Sequence, residues 1–158
     1  MENETQKTGG YDVTFLGTVT GTNLIPAIRN TQDAGNIQKD LTYVVIAIQK
    51  SDGTAMPSTM DPEYKTFCVS PLVHGKNFKE LNNGTIDAGV YSFVQDGVQY
   101  ELLECKNLKP YAKGGVSIGV VERFGEEPEA FNYDASTGVH SRNENYQKVN
   151  ALFEFPFQ

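Results

Sequence analysis

Asp96-Gly97 stands between two runs of alternating side chains, Val90 to Val94 and Val98 to Cys105. A two-residue hairpin loop of the mirror-image type needs positive φ at both central positions, which Asp and Gly tolerate. With these two residues as the loop, Gln95 faces Val98, Phe93 faces Tyr100 and Tyr91 faces Leu102. Tyr91, Phe93, Val98, Tyr100 and Leu102 then share one face. The other carries Ser92, Val94, Gln99 and Glu101 and is at best half apolar. A basic stretch with one aromatic follows: Lys106, Lys109, Tyr111 and Lys113. A hairpin placed this firmly makes an antiparallel sheet the framework that the rest of the chain must serve.

The other segments agree with that framework. Tyr11 to Thr22 alternates, with Tyr11, Val13, Phe15, Gly17 and Val19 on one face, and Gly17 and Gly21 suit a bulge or bend. Leu41 to Gln49 is almost continuously apolar and β-branched, the pattern of a strand covered on both faces. Tyr64 to Ser70, Val116 to Val121 and Lys148 to Phe155 supply further strands. Asn23 to Asp40 reads as a long loop with at most one helical turn, broken by Pro26 and Gly35. A short helix is expected around Asn77 to Leu81. Fifteen glycines and seven prolines among 158 residues favour short strands over helices. The expected fold is all-β: a small antiparallel barrel over residues 11–121, with no helix beyond about three turns. Residues 1–10 read as a flexible arm, and 122–158 as an acidic loop followed by a C-terminal strand.

Function classes can be narrowed by what the chain lacks. No apolar run approaches the roughly 20 residues that span a bilayer. The polar start, MENETQKTGG, has no signal-peptide core, so the expectation is an unprocessed, cytoplasmic chain that starts inside a cell. GxSxG, HExxH, GxGxxG and the phosphate loop are all missing, and no spacing of His and Cys makes a metal ligand set. His74 and His140 are isolated and read as solvated loop residues. The carboxylate pairs Glu126-Glu127 and Asp61/Glu63 fall in loops with no apolar pocket to shift them. A non-enzyme without cofactor or metal is expected. Cys68 and Cys105 lie inside strands and read as buried, reduced thiols.

The segment IDAGVYSFVQDGVQYELLECKNLKPYAK resembles the C-terminal half of the single-stranded DNA-binding proteins of filamentous phages. The likeness rests on Ala88-Gly89-Val90-Tyr91 leading in, Gly97 at the turn, and Leu103 to Lys113 as an apolar strand running into a basic tail. EYKTFCVSP would be the strand before it. The resemblance covers about a third of the chain and implies an OB-type barrel of five strands. It also implies a groove in which lysines track phosphates and aromatic faces stack on bases, each worth roughly 1–3 kcal/mol. Lys65, Lys106, Lys109 and Lys113 with Tyr64, Tyr100 and Tyr111 would supply these groups. Tyr91, Phe93 and Tyr100 equally suit the core face of a hairpin.

Charge pulls the other way. The net charge is -7. From Val121 onward there are seven acidic residues against three basic ones, so more than half of the excess lies in the last quarter. Two readings follow: a single-strand nucleic-acid binder of phage or mobile-element origin, or a virion structural or decoration protein with no nucleic-acid contact. In either, the C-terminal strand ending in FEFPF is a candidate for self-association or for docking a protein partner.

Overall fold

The fold was analysed in a computed structural model, and the structure describes residues 3–29 and 31–155. The chain is all-β. Its strands are β1 (Glu4–Thr8), β2 (Tyr11–Thr20), β3 (Thr42–Lys50), β4 (Cys68–Val73), β5 (Val90–Gln95), β6 (Val98–Glu104), β7 (Val116–Val121), β8 (Phe131–Asp134), β9 (Val139–Arg142) and β10 (Asn150–Phe155). The helices are short: α1 (Gly21–Ile28), α2 (Asn83–Ile86) and α3 (Glu127–Ala130), with 3-10 segments at Gln32–Asn36 and Lys106–Gly114. One antiparallel sheet has the order β1-β2-β3-β6-β5, a second has β10-β7-β4, and β8 and β9 form a separate hairpin.

The two larger sheets face one another. Val13, Phe15, Val44, Ile46, Ile48 and Leu103 of the first sheet share one core with Val69, Ile118, Val120, Ala151 and Phe153 of the second. The Phe15 ring lies 5.8 Å from Phe153 and 6.4 Å from Phe155. The strands of a five-membered ring are present, but the third of them does not pair as a ring requires. It begins at Cys68, later than expected, and pairs with β7 in the second sheet. The result is a sandwich of two open sheets.

The hairpin has the expected register: Gln95 opposite Val98, Phe93 opposite Tyr100, Tyr91 opposite Leu102. Asp96 and Gly97 hold φ of 53° and 78°, as the mirror-image turn requires. β3 is central, and both of its faces are covered, as its apolar run demands. Val44, Ile46 and Ile48 face the second sheet, while Tyr43 and Val45 lie in a separate outer cluster. That cluster is formed by α1 and Ile37, whose Leu24, Ile25 and Ile28 pack on Tyr43, Phe93 and Leu102. Residues 21–28 are therefore a two-turn helix where a loop was expected. Thr20 caps it through Asn23 N at 3.4 Å. Packing of the apolar stripe outweighs the hydrogen bond that Pro26 cannot donate. A short helix also appears one turn later than expected, at α2, where Asn82 and Thr85 make a reciprocal capping box.

Three other expectations are corrected. The bulge between Phe15 and Gly17 reverses the facing of β2, so Val19 packs in the outer cluster rather than beside Val13 and Phe15. Residues 4–8 are not an arm but an edge strand paired with β2. Opposite Val13 and Tyr11, Gln6 and Thr8 point inward. The Gln6 amide donates to Leu152 O at 2.6 Å and accepts from Leu152 N at 2.9 Å. Thr8 Oγ1 accepts from Asn150 N at 3.0 Å. These side chains replace a strand neighbour along β10, so its edge is already engaged from Asn150 to Leu152. The expected docking segment beyond Phe155 lies outside the described residues. Finally, the acidic stretch 122–145 is structured. It holds α3 and the β8–β9 hairpin, and His140 is buried there. His140 Nε2–H donates to Val73 O and Lys76 O at 3.1 and 3.0 Å, which docks the hairpin onto the end of β4. Burial lowers the pKa of this imidazole, with the two carbonyl hydrogen bonds acting in the opposite direction.

Candidate functional site

The residues proposed for nucleic acid fall into separate places. Tyr64 and Lys65 precede β4 and sit at the Gln99 end of β6, where Gln99 Nε2 donates to Lys65 O at 2.7 Å. Lys106, Lys109 and Lys113 lie on the 3-10 segment that leaves the opposite end of β6. The strand between them has seven residues, or roughly 20 Å at the usual rise. Lys65 is further committed: its ammonium pairs with Glu122 at 3.4 Å and lies 5.4 Å from the Phe67 ring centroid. The three lysines of the 3-10 segment are exposed, with no acidic partner within ion-pair distance among the described residues.

The aromatic faces are also spent internally. Tyr100 stacks on Phe93 at 5.0 Å, and the pair belongs to the cluster under α1. Tyr111 is half-buried against the sandwich core. The Tyr64 hydroxyl lies 2.7 Å from Ser92 Oγ. The hairpin face expected to be half polar points into the sandwich instead of to solvent. Glu101 is 3 % exposed and Gln99 1 %. Glu101 Oε1 accepts from Phe67 N at 3.0 Å, Ser92 Oγ at 2.9 Å and Gln99 Nε2 at 2.8 Å. This network ties the start of β4 to β6 and closes the side of the sandwich opposite β1 and β10. It is a structural use of a buried acid, with three donors on one oxygen.

Glu127 corrects the expectation of two solvated carboxylates. It is 2 % exposed, and burial pushes its pKa up to about 7 even though Gly125 N donates to both of its oxygens. Glu126 takes the opposite course. Lys148 and Tyr146 donate to its Oε2, each at 2.9 Å, and its pKa is lowered. Nothing in the spacing of two adjacent glutamates distinguishes them; α3 turns one inward and leaves the other near the surface. Cys68 and Cys105 are free, and burial raises both thiols to about 11. Among the described residues no group of three His, Cys, Asp or Glu is arranged to hold a metal ion, and no helix is long and apolar enough to cross a membrane.

Two surface features remain. A cleft of about 290 Å³ opens between the β1–β2 turn and the loop from β9 to β10, with Lys7, Arg142 and Lys148 among its walls. On the turn after β7, Phe124 is 57 % exposed. Its ring lies 5.5 Å from that of Phe78, with Arg123 exposed beside it. Ion pairs fix this turn at both ends, Lys65 to Glu122 and Lys148 to Glu126. No periodic or motif signal marks either feature in the sequence. No family model, curated protein or solved structure matches the chain.

Proposed function

We propose that the protein acts by protein–protein contact, as a β-sandwich assembly subunit of the virion-structural or decoration kind. The observation that carries this reading is Phe124. It is a large exposed aromatic, backed by Phe78, on a turn pinned by two ion pairs and flanked by Arg123. Aromatic and arginine anchors with little conformational freedom, ringed by polar groups, are what dominate binding energy at interfaces. Phe124→Ser removes the anchor and its contact with Phe78 but no side chain of the sandwich core, so stability should fall by only about 0.5–1.5 kcal/mol with the fold intact. Wild-type protein should gain mass with concentration in light scattering, and the variant should stay monomeric. A wild type that remains monomeric throughout refutes assembly with copies of itself.

A second reading keeps single-stranded nucleic acid. It rests on Lys106, Lys109 and Lys113, which are exposed on one short segment and, among the described residues, have no acidic partner within ion-pair distance. Each phosphate contact gives a slope near -0.7 in log affinity against log salt, so replacing Lys109 and Lys113 by Ala should flatten that slope by about 1 to 1.5. Titration with a long oligothymidine at low salt tests it, and no shift there removes it.

A further inference from the structure

The geometry points to the cleft between the β1–β2 turn and the β9–β10 loop as a site for the carboxylate group of a small ligand, with Arg142 as its anchor. The guanidinium is held along one edge by neutral acceptors. Arg142 Nε donates to Asn150 O at 2.9 Å, and Nη2 donates to Asn150 Oδ1 at 3.2 Å. Asn150 is 3 % exposed and is fixed in turn. Its Nδ2 donates to Ala130 O and Asn143 O at 3.0 and 2.8 Å, and its Oδ1 also accepts from Thr8 Oγ1 at 3.2 Å. Two of the five guanidinium N–H groups are therefore consumed, and the Nη1–Nη2 edge, which matches a carboxylate with two parallel hydrogen bonds, is left over. Among the described residues no carboxylate lies within ion-pair distance of Arg142. An oriented, uncompensated guanidinium is unexpected in a protein of net charge -7.

The walls decide which anion fits. Lys7 and Lys148 line the same cleft, but each already carries a partner: Asp12 at 3.0 Å and Glu126 at 2.9 Å. Glu144 also lines it, and its charge opposes any anion. Three cations (Lys7, Lys148 and Arg142) thus stand against three carboxylates (Asp12, Glu126 and Glu144), so the cleft is neutral overall, and Arg142 is its cation without a direct carboxylate partner among the described residues. A planar monoanion can use the free fork of Arg142 while adding a single negative charge beside Glu144, whereas a phosphate dianion adds two and meets more repulsion from Glu144 and the two rim acids. The volume admits a ligand about the size of a benzoate, with Tyr146 among the walls. Gly9 also lines the cleft, and a Cβ there would stand 2.6 Å from Val149 N, so the two chain segments meet backbone to backbone.

The test is titration of isotope-labelled protein with benzoate, with the neutral isostere benzamide, and with inorganic phosphate, followed by NMR. Benzoate should produce saturable shifts in the Arg142 Nε–H and in the amides of residues 7–9 and 142–150. Benzamide should produce none, and phosphate should bind at least tenfold more weakly. Arg142→Lys keeps the charge but loses the fork, and should weaken benzoate at least tenfold. Arg142 also supports Asn150, so Lys148→Ala provides a variant outside that network and should weaken benzoate two- to fivefold. Equal binding of benzoate and benzamide, tighter binding of phosphate, or shifts elsewhere on the molecule would each overturn the assignment.

Discussion

Glu127→Gln isolates a carboxyl that the fold holds well above its ordinary range. The side chain is 2 % exposed, and burial pushes its pKa from 4.5 up to about 7. Between those values the native state keeps a proton that the unfolded chain has released, so wild-type stability falls as pH rises through this window. At about 1.4 kcal/mol per pH unit the loss comes to about 3 kcal/mol. Gln is neutral throughout and can still accept from Gly125 N, so the variant escapes the penalty. With a urea m-value of about 2 kcal/mol/M, the variant's midpoint should gain roughly 1.5 M on the wild type between about pH 4 and pH 8. His140 acts in the same range with the opposite sign. Its lowered pKa costs the native state stability as pH falls below 6.5, where the unfolded imidazole takes up a proton. Glu126, Asp12, Asp52 and Asp134, all with lowered pKa, lose their contributions at still lower pH. These contributions are common to both proteins and cancel in the difference curve. Parallel midpoint-against-pH curves for wild type and variant would refute the argument.

Gly97→Val puts a β-branched residue at φ 78°, and its Cβ would meet Ala55 Cβ at 3.1 Å. Destabilisation of at least about 1 kcal/mol is expected in urea melts, and an unchanged midpoint would contradict the turn geometry. Gln6→Ala removes both side-chain bonds to Leu152 and should cost about 1–2 kcal/mol. The Leu152 amide should then exchange with deuterium faster than its neighbours. With both thiols raised to about 11, only about one in a thousand is thiolate near pH 8. Ellman's reagent should therefore count two thiols after unfolding and react slowly before it.

What the sequence determined by itself is local or periodic. Asp96-Gly97 sets its own turn, because few residues hold positive φ, and the turn then sets the Phe93–Tyr100 register. The β-branched run of β3 announces two covered faces, since water on either would waste that apolar area. The reduced cysteines and the all-β class follow from the same kind of signal. Which layer covers each face is a different matter, because alternation says that two faces differ and not what each one meets. Tyr100 and Phe93 met α1, which Pro26 had hidden, while Gln99 and Glu101 met the interior through the donors of Ser92 and Phe67 N. One bulged residue, Leu16, turned Val19 from one layer to the other. The cleft around Arg142 joins residues 7–9 to residues 142–150, and Phe124 meets Phe78 across more than 40 positions. Contacts between segments so far apart carry no periodic trace in the chain. The cleft exists because β1 and β10 close the same side of the sandwich, and the aromatic pair because β4 and β7, whose following segments carry Phe78 and Phe124, are neighbours in the second sheet; only the tertiary fold brings those strands together.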